Sequence, residues 1–107
     1  MIRIKYDSVS LMIEIDGHAG KAPQGKDIVC SAVSALTYTL VRAIEGMYNR
    51  DELNEIPIVR LESGDADISI SPRFAFRKDA RLIFDTICDG YELVAEDYPQ
   101  YVAYERI

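Results

Sequence analysis

An apolar row at helical spacing between residues 29 and 47 constrains the fold of this chain more than any other feature. The row consists of Val29, Val33, Leu36, Leu40, Ala43, Ile44 and Met47. It predicts one amphipathic helix, which we expect to begin with Asp27 as its N-cap and to end between Gly46 and Asn49. The apolar face of such a helix has to be covered by a second layer of structure.

Alternating apolar and polar residues on both sides of this helix predict strands. They predict a hairpin from residues 1–6 and 9–16, a second hairpin from residues 56–61 and 67–71, and a last strand from residues 101–107. In the first hairpin we expect Val9, Leu11, Ile13 and Ile15 to face the core. A second amphipathic helix is predicted from about residue 78 to residue 98, with the apolar row Ala80, Ile83, Phe84, Ile87, Tyr91, Val94 and Ala95.

The predicted order ββαββαβ implies an α+β fold. We expect a two-layer domain in which two helices pack on a mixed, largely antiparallel sheet. A length of 107 residues suits one domain, so residues 1–107 are interpreted as a single unit.

Charge and composition narrow the range of partners. The chain has 12 basic and 18 acidic residues and a formal charge of −6, which favours a basic partner. The sequence contains no cluster of Lys and Arg, so we expect no direct contact with nucleic acid. The chain has no secretory leader pattern and no apolar run of about 18 residues, from which we expect a cytoplasmic protein that does not bind a membrane.

Residues 17–30 contain His18, the chain's single histidine, and Cys30, one of its two cysteines. His18 follows a predicted strand, and Cys30 falls in the first turn of the predicted helix. A helix start lowers the pKa of a thiol, and a nearby imidazole can accept its proton. The free N–H groups of residues 29–31 could also bind an oxyanion. This combination favours nucleophilic catalysis by Cys30 with His18 as the base.

Other readings of these residues stay open. A lone cysteine is often a small buried side chain, and a lone histidine in a glycine-rich loop is often solvated. Asp27 is interpreted first as a cap. Ser34, one turn after Cys30, could contact the sulfur or the imidazole, although a serine at the edge of a helix usually has no special role. Cys88 is expected to pack in the second helix, although a Cys30–Cys88 disulfide is an alternative. The spacing of His and Cys predicts no metal site, and we expect no cofactor.

The segments Gly17-His18-Ala19-Gly20 and 25–36 (GKDIVCSAVSAL) closely resemble the signature of the ribosomal-processing cysteine proteases, the Prp family. The stretch 93–102 (LVAEDYPQYV) is similar to the close of that family's last helix and strand. The resemblance extends over the whole chain in length and element order.

This resemblance implies a thiol protease of ribosome biogenesis. It implies a cytoplasmic homodimeric endopeptidase that removes the N-terminal extension of a basic large-subunit ribosomal protein. The family's nucleophile falls on Cys30 and its general base on His18, while Asp27 and Ser34 fall on motif positions with supporting roles. The loop of residues 19–26, with Gly20 and Gly25, would be a lid over the substrate peptide.

Two functions other than proteolysis are also compatible with these residues. One is a non-catalytic dimeric module that binds a peptide or the ribosome, in which Cys30 reacts no faster than Cys88. The other is a redox-sensing thiol, in which Cys30 undergoes oxidant-dependent chemistry and no peptide is cleaved.

Overall fold

A single sheet and two helices make up the fold. The computed structural model describes residues 1–18 and 24–107, and for residues 24–27 it describes the backbone alone. Within those residues the strands are β1 (Ile2–Asp7), β2 (Met12–Asp16), β3 (Ile58–Glu62), β4 (Asp65–Ser69) and β5 (Val102–Arg106). The helices are α1 (Gln24–Asn49) and α2 (Arg77–Asp97), preceded by a short 3-10 turn at Phe74–Phe76. The predicted order ββαββαβ and the α+β class are confirmed.

The sheet is mixed, with strand order β3-β4-β2-β1-β5. β1 and β5 are parallel, and the other neighbouring strands are antiparallel. The parallel pair follows from the connection through α2, since parallel neighbours need a long crossover whereas antiparallel ones need only a turn. The sheet is therefore largely antiparallel, as predicted.

The core lies between one face of this sheet and the two helices. Along β1, Ile2, Ile4 and Tyr6 are buried while the alternate residues are exposed. The predicted apolar rows supply the helical side of the core: Val29, Val33, Leu40, Ile44 and Met47 of α1 and Ala80, Phe84, Ile87, Cys88 and Tyr91 of α2 are buried. Cys88 packs as predicted.

The turn of the first hairpin extends further along the chain than predicted. Residues 8–11 form a turn, so β2 begins at Met12 rather than at residue 9. The Asp7 carboxylate accepts the N–H groups of Val9 and Ser10 at 3.0 and 3.2 Å, and Leu11 adopts φ +55°. Val9, expected in the core, is 77% exposed because it lies on this turn.

The two strands of the second hairpin extend closer to the turn between them than predicted. β3 pairs with β4 up to Glu62 and Asp65, which leaves only Ser63 and Gly64 as the loop. Gly64 has φ +76°, a conformation that two-residue hairpin loops require and that glycine adopts without strain. The predicted strands therefore begin and end about two residues away from the observed ones.

Helix α1 begins at Gln24, three residues before the predicted cap. Asp27 therefore lies in the first helical turn and is not the N-cap, and Gln24–Lys26 are helical rather than part of a loop. From Ile28 to Asn49 the helix is long and apolar enough to cross a membrane by length and composition, with a mean hydropathy of 1.4. In the fold, 28% of the most apolar 18-residue window of this stretch is buried, and most of the buried residues belong to the apolar row of the core.

The two helices meet closely at Gly90. A Cβ at Gly90 would lie 2.6 Å from Leu36 Cδ2, so glycine allows α2 to approach α1 at this point. Next to it, the Thr37 hydroxyl donates to the carbonyl oxygen of Val33 at 2.7 Å. Since Thr37 has only one proton, the Tyr91 hydroxyl donates in turn to Thr37 Oγ1 at 2.7 Å. Burial raises the pKa of Tyr91 and keeps this donor protonated.

Candidate active site

A cleft of about 400 Å³ lies where the end of β2, the exposed side of early α1 and the β3–β4 turn meet. Its described lining residues are Ile2, Ile15, Gly17, His18, Cys30, Val33, Ser34, Thr37, Tyr38, Leu61, Glu62, Ser63, Gly64, Asp65 and Ala66. The cleft thus contains the histidine, the exposed cysteine and the serine that sequence analysis selected.

His18 is positioned by backbone contacts at the end of β2. The Gly17 N–H donates to the carbonyl oxygen of Gly64 at 2.9 Å, and the backbone nitrogen of Met1 donates to the carbonyl oxygen of His18 at 2.6 Å. Gly17 has φ +93°, a backbone conformation that glycine adopts without strain. The imidazole itself lies against the Cα of Gly64, because a Cβ there would come within 2.5 Å of His18 Cε1.

Cys30 is exposed, is not in a disulfide, and is the seventh residue of α1. The expectation that it lies in the first turn is wrong, because the helix begins at Gln24. The field of a helix start falls off within one turn, so it acts less on this thiol than predicted. The N–H groups of residues 29–31 also bond within the helix, which excludes them as the expected oxyanion donors.

Ser34 lies one turn after Cys30 and lines the same cleft. Its side chain is exposed, so its hydroxyl is available to a group bound in the cleft. Structure thereby places three of the four predicted catalytic and supporting residues around one space. The side chain of Asp27, the fourth, lies outside the description, as does Gly20 of the predicted lid, while Gly25 belongs to the first turn of α1.

The second cysteine has the opposite environment. Cys88 is buried in the core, and that burial raises the pKa of its thiol to about 12. Both cysteines are free, which excludes the Cys30–Cys88 disulfide that sequence analysis left open. Of the two thiols, only that of Cys30 is accessible to a substrate.

The β3–β4 turn, which sequence analysis interpreted only as a hairpin, forms one wall of the cleft. It brings the carboxylates of Glu62 and Asp65 to the rim. The Arg60 guanidinium donates to Asp65 Oδ2 at 2.8 Å, and it also bonds Asp67 and lies 3.4 Å from Glu62. These hydrogen bonds with Arg60 lower the pKa of Asp65. The rim therefore keeps a negative charge that one arginine offsets only in part.

No spacing signal in the sequence connects this turn with His18. The connection arises because β4 pairs with β2 in a register that places Asp65 opposite Asp16. Tyr38, which is exposed on the α1 side of the cleft, was likewise not predicted, although it lies two turns after Cys30 on the same face.

The described side chains also bear on metal binding. Among them, no group of three or more His, Cys, Asp or Glu residues is placed to hold a metal ion. The absence of a metal and of a cofactor remains a prediction.

Comparison with known proteins identifies the family. Residues 1–103 match the family model described as cysteine protease Prp. The chain belongs to this family. It is a cysteine protease, and the resemblance stated from residues 17–36 is confirmed.

Individual members of the Prp family agree with this assignment. The chain is 29% identical over 84 residues to the ribosomal processing cysteine protease Prp of Staphylococcus aureus, covering 78% of this chain and 74% of that protein. It is 28% identical over 102 residues to the Prp of Bacillus subtilis, covering 91% of this chain and 86% of that protein. The match to the second relative includes most of the length of both proteins.

Solved structures share the fold. The crystal structure of an essential ribosomal processing protease Prp from S. aureus, in complex with a covalently linked product peptide, superposes with a TM-score of 0.77 at 24% identity. It covers 100% of both chains. A crystal structure from Streptococcus mutans superposes with a TM-score of 0.71 at 27% identity, covering 99% of this chain and 91% of that one. The order of strands and helices is thus the fold of Prp structures.

Proposed function

We propose that this protein removes the N-terminal extension of a bacterial large-subunit ribosomal protein, with Cys30 as nucleophile and His18 as general base. The observation that carries the proposal is that an accessible thiol and an imidazole line one cleft, delivered by two different elements. The relatives named ribosomal processing cysteine protease support the substrate class. The S. aureus structure with a substrate peptide supports a peptide ligand.

Acylation begins when the His18 imidazole takes the proton of the Cys30 thiol. The sulfur attacks the scissile carbonyl carbon, and the C=O electron pair moves to oxygen to give an oxyanion. When that intermediate collapses, the C–N bond breaks and His18 gives its proton to the leaving amine. His18 then takes a proton from water, the hydroxide attacks the thioester, and the acid product leaves as Cys30 recovers the proton.

Other lining residues fit this chemistry in supporting roles. The Ser34 hydroxyl lies one turn from Cys30 and can donate a hydrogen bond to a group held at the sulfur. The Gly64 contact fixes the imidazole on the side of the cleft opposite α1. Glu62 and Asp65 at the rim suit a basic precursor peptide, since unlike charges attract it to the cleft.

The experiment is incubation with the full-length ribosomal precursor from the same genome, read by mass spectrometry. Cys30→Ala and His18→Ala are expected to abolish cleavage, whereas Cys88→Ala is the matched control because that thiol does not reach the cleft. Cleavage by Cys30→Ala at the wild-type rate would refute the proposal.

We also propose that the protein works as a cytoplasmic homodimer, as the resemblance implies. Two free thiols are typical of a reducing compartment. Light scattering after size-exclusion chromatography tests the dimer, and a monomer at micromolar concentration would contradict it. Cell fractionation tests the compartment.

A further inference from the structure

A basic segment of residues 73–81 lies far from the catalytic cleft. It contains four of the chain's 12 basic residues and one of its 18 acidic residues, so it has a charge of +3 in a chain of −6. The expectation that Lys and Arg do not cluster fails for this segment. Its four cations are Arg73, Arg77, Lys78 and Arg81.

Three of these cations line a second cleft of about 260 Å³. Arg77, Lys78 and Arg81 project from the first turns of α2, and residues 8, 9 and 11 of the β1–β2 turn form the opposite wall. Among the described side chains, Arg77 and Lys78 form no ion pair, and Arg81 reaches the Asp85 carboxylate only at 3.8 Å. The cleft therefore presents positive charge at Arg77 and Lys78 that no carboxylate among the described side chains pairs, whereas Arg81 is within ion-pair distance of Asp85.

An exposed aromatic ring lies on the same segment. Phe74 is 91% exposed in the 3-10 turn that precedes α2, although burying such a ring is normally favourable by about 2 kcal/mol or more. The turn is anchored on its N-terminal side, because Arg73 donates to the carbonyl oxygen and the carboxylate of Asp51, each at 2.8 Å, and it continues directly into α2 at Arg77. The ring is thus presented to solvent by a fixed piece of backbone.

The basic segment and the catalytic cleft lie at opposite ends of β2. The β1–β2 turn precedes Met12, and His18 follows Asp16, so the length of the strand, about 15 Å, separates the two. At physiological salt the Debye length is about 8 Å, so the acidic rim of the catalytic cleft scarcely affects the basic segment. A partner bound at one end leaves the other end open.

We propose that this basic aromatic patch, defined as Phe74, Arg77, Lys78 and Arg81, binds single-stranded RNA. The three cations pair with successive phosphates, and the ring of Phe74 stacks on an unpaired base, which is how sequence-tolerant binding of single strands works. An acidic peptide would satisfy the cations and leave the ring unused, so the combination favours a ligand with both phosphates and π faces. The inference rests on the proposed function, because the substrate proposed there is a ribosomal protein, a class of protein that itself binds ribosomal RNA.

Fluorescence anisotropy with a labelled single-stranded RNA of about 12 nucleotides tests the patch. Three phosphate contacts predict that log K falls with log salt at a slope of about −2. Phe74→Ala is expected to weaken binding by about fivefold or more. The double variant Arg77→Gln/Lys78→Gln removes two of these contacts and is expected to reduce the magnitude of the slope by about 1.4.

A matched control removes the same charge elsewhere. Lys5→Gln/Arg42→Gln alters two exposed cations outside the patch and is expected to change neither the affinity nor the slope by much. Precursor cleavage by both patch variants should stay at the wild-type rate, since none of these residues lines the catalytic cleft. Loss of RNA binding with intact cleavage supports the proposal.

Several results would overturn it: no RNA binding at about 50 mM salt, equal binding by the patch variants, or full displacement of RNA by poly-glutamate at matched charge. Conversion of a dimer into a monomer by the patch variants would also overturn it, because the patch would then be a contact between copies. Cys30→Ala separates this inference from the proposed function, since it is expected to lose cleavage and keep RNA binding. RNA binding by a wild-type protein that cleaves no precursor would refute the proposed function alone.

Discussion

Replacing Gly64 with alanine tests whether the β3–β4 turn positions the His18 imidazole, the proposed general base. A Cβ at this position would lie 2.5 Å from His18 Cε1 and 3.1 Å from Cδ2, whereas ordinary contact begins at 3.4 Å. The ring therefore has to move by about 1 Å, and a displacement of that size at a reacting group costs about 100-fold in rate. We expect kcat/KM for precursor cleavage to fall by about that factor.

The same change also has a cost in stability, which can be measured separately. Gly64 has φ +76°, where a side chain costs about 1 to 2 kcal/mol. For a domain of about 100 residues this lowers Tm by about 4 to 8 °C per kcal/mol, so kcat/KM is compared at a temperature below the Tm measured for the variant. In a His18→Ala background the contact with the ring is gone, so Gly64→Ala should cost only the backbone part.

Gly90→Ala is the matched control for a glycine in close contact. A Cβ at Gly90 would contact Leu36 where the two helices cross, and it would not contact His18. The free energy of unfolding is therefore expected to change, while kcat/KM stays near the wild-type value. If Gly64→Ala folds and cleaves the precursor within about twofold of the wild-type rate, the reasoning that the turn positions His18 is refuted.

Three further predictions concern the thiols, the buried hydrogen bond and the acidic rim. At pH 8 iodoacetamide should label Cys30 in the native protein and Cys88 only after denaturation, because with a pKa of about 12 only about one Cys88 in ten thousand is thiolate; equal native labelling by mass spectrometry would contradict this. Tyr91→Phe should lower the free energy of unfolding by about 1 kcal/mol in urea titrations, through loss of one buried hydrogen bond, and no change would contradict it. Because the pKa of Asp65 is lower in the folded than in the unfolded state, its carboxylate stabilises the fold above the unfolded pKa of about 4, and this stabilisation is lost as pH falls through the folded pKa. The difference in Tm between wild type and Asp65→Asn should therefore narrow from about pH 5 to about pH 2. A constant difference would count against the Arg60 contact.

Periodicity was enough to predict the elements and the core, because burial on one face imposes the pattern directly. Periodicity could not predict the residues at which the helices and strands begin and end. Asp27 is favourable both at an N-cap and inside a first turn, where it meets the positive end of the helix, so its presence does not fix where α1 begins. Val9 continues an alternating pattern, yet the Asp7 carboxylate bonds two N–H groups and turns the chain there.

The candidate site was half predictable for a similar reason. His18 and Cys30 flank one segment, and their residue types alone predict a general base and a nucleophile. Gly64 is 46 residues from His18, and only the β2–β4 register brings the two together. Local pattern does not determine which strands become neighbours, so this wall of the cleft appears only in three dimensions.

Dependence of His18 on the β3–β4 hairpin links activity to complete folding. β3 is an edge strand, and the contact between Gly64 and the imidazole forms only when β4 has paired with β2, a non-local step that follows loop closure. A chain that has made β1, β2 and α1 but not this hairpin has a thiol and a histidine without a wall to hold the ring. The pairing of β4 with β2 is therefore required for a fixed imidazole as well as for the sheet, so a variant that loosens this hairpin should lose activity before it loses the rest of the fold.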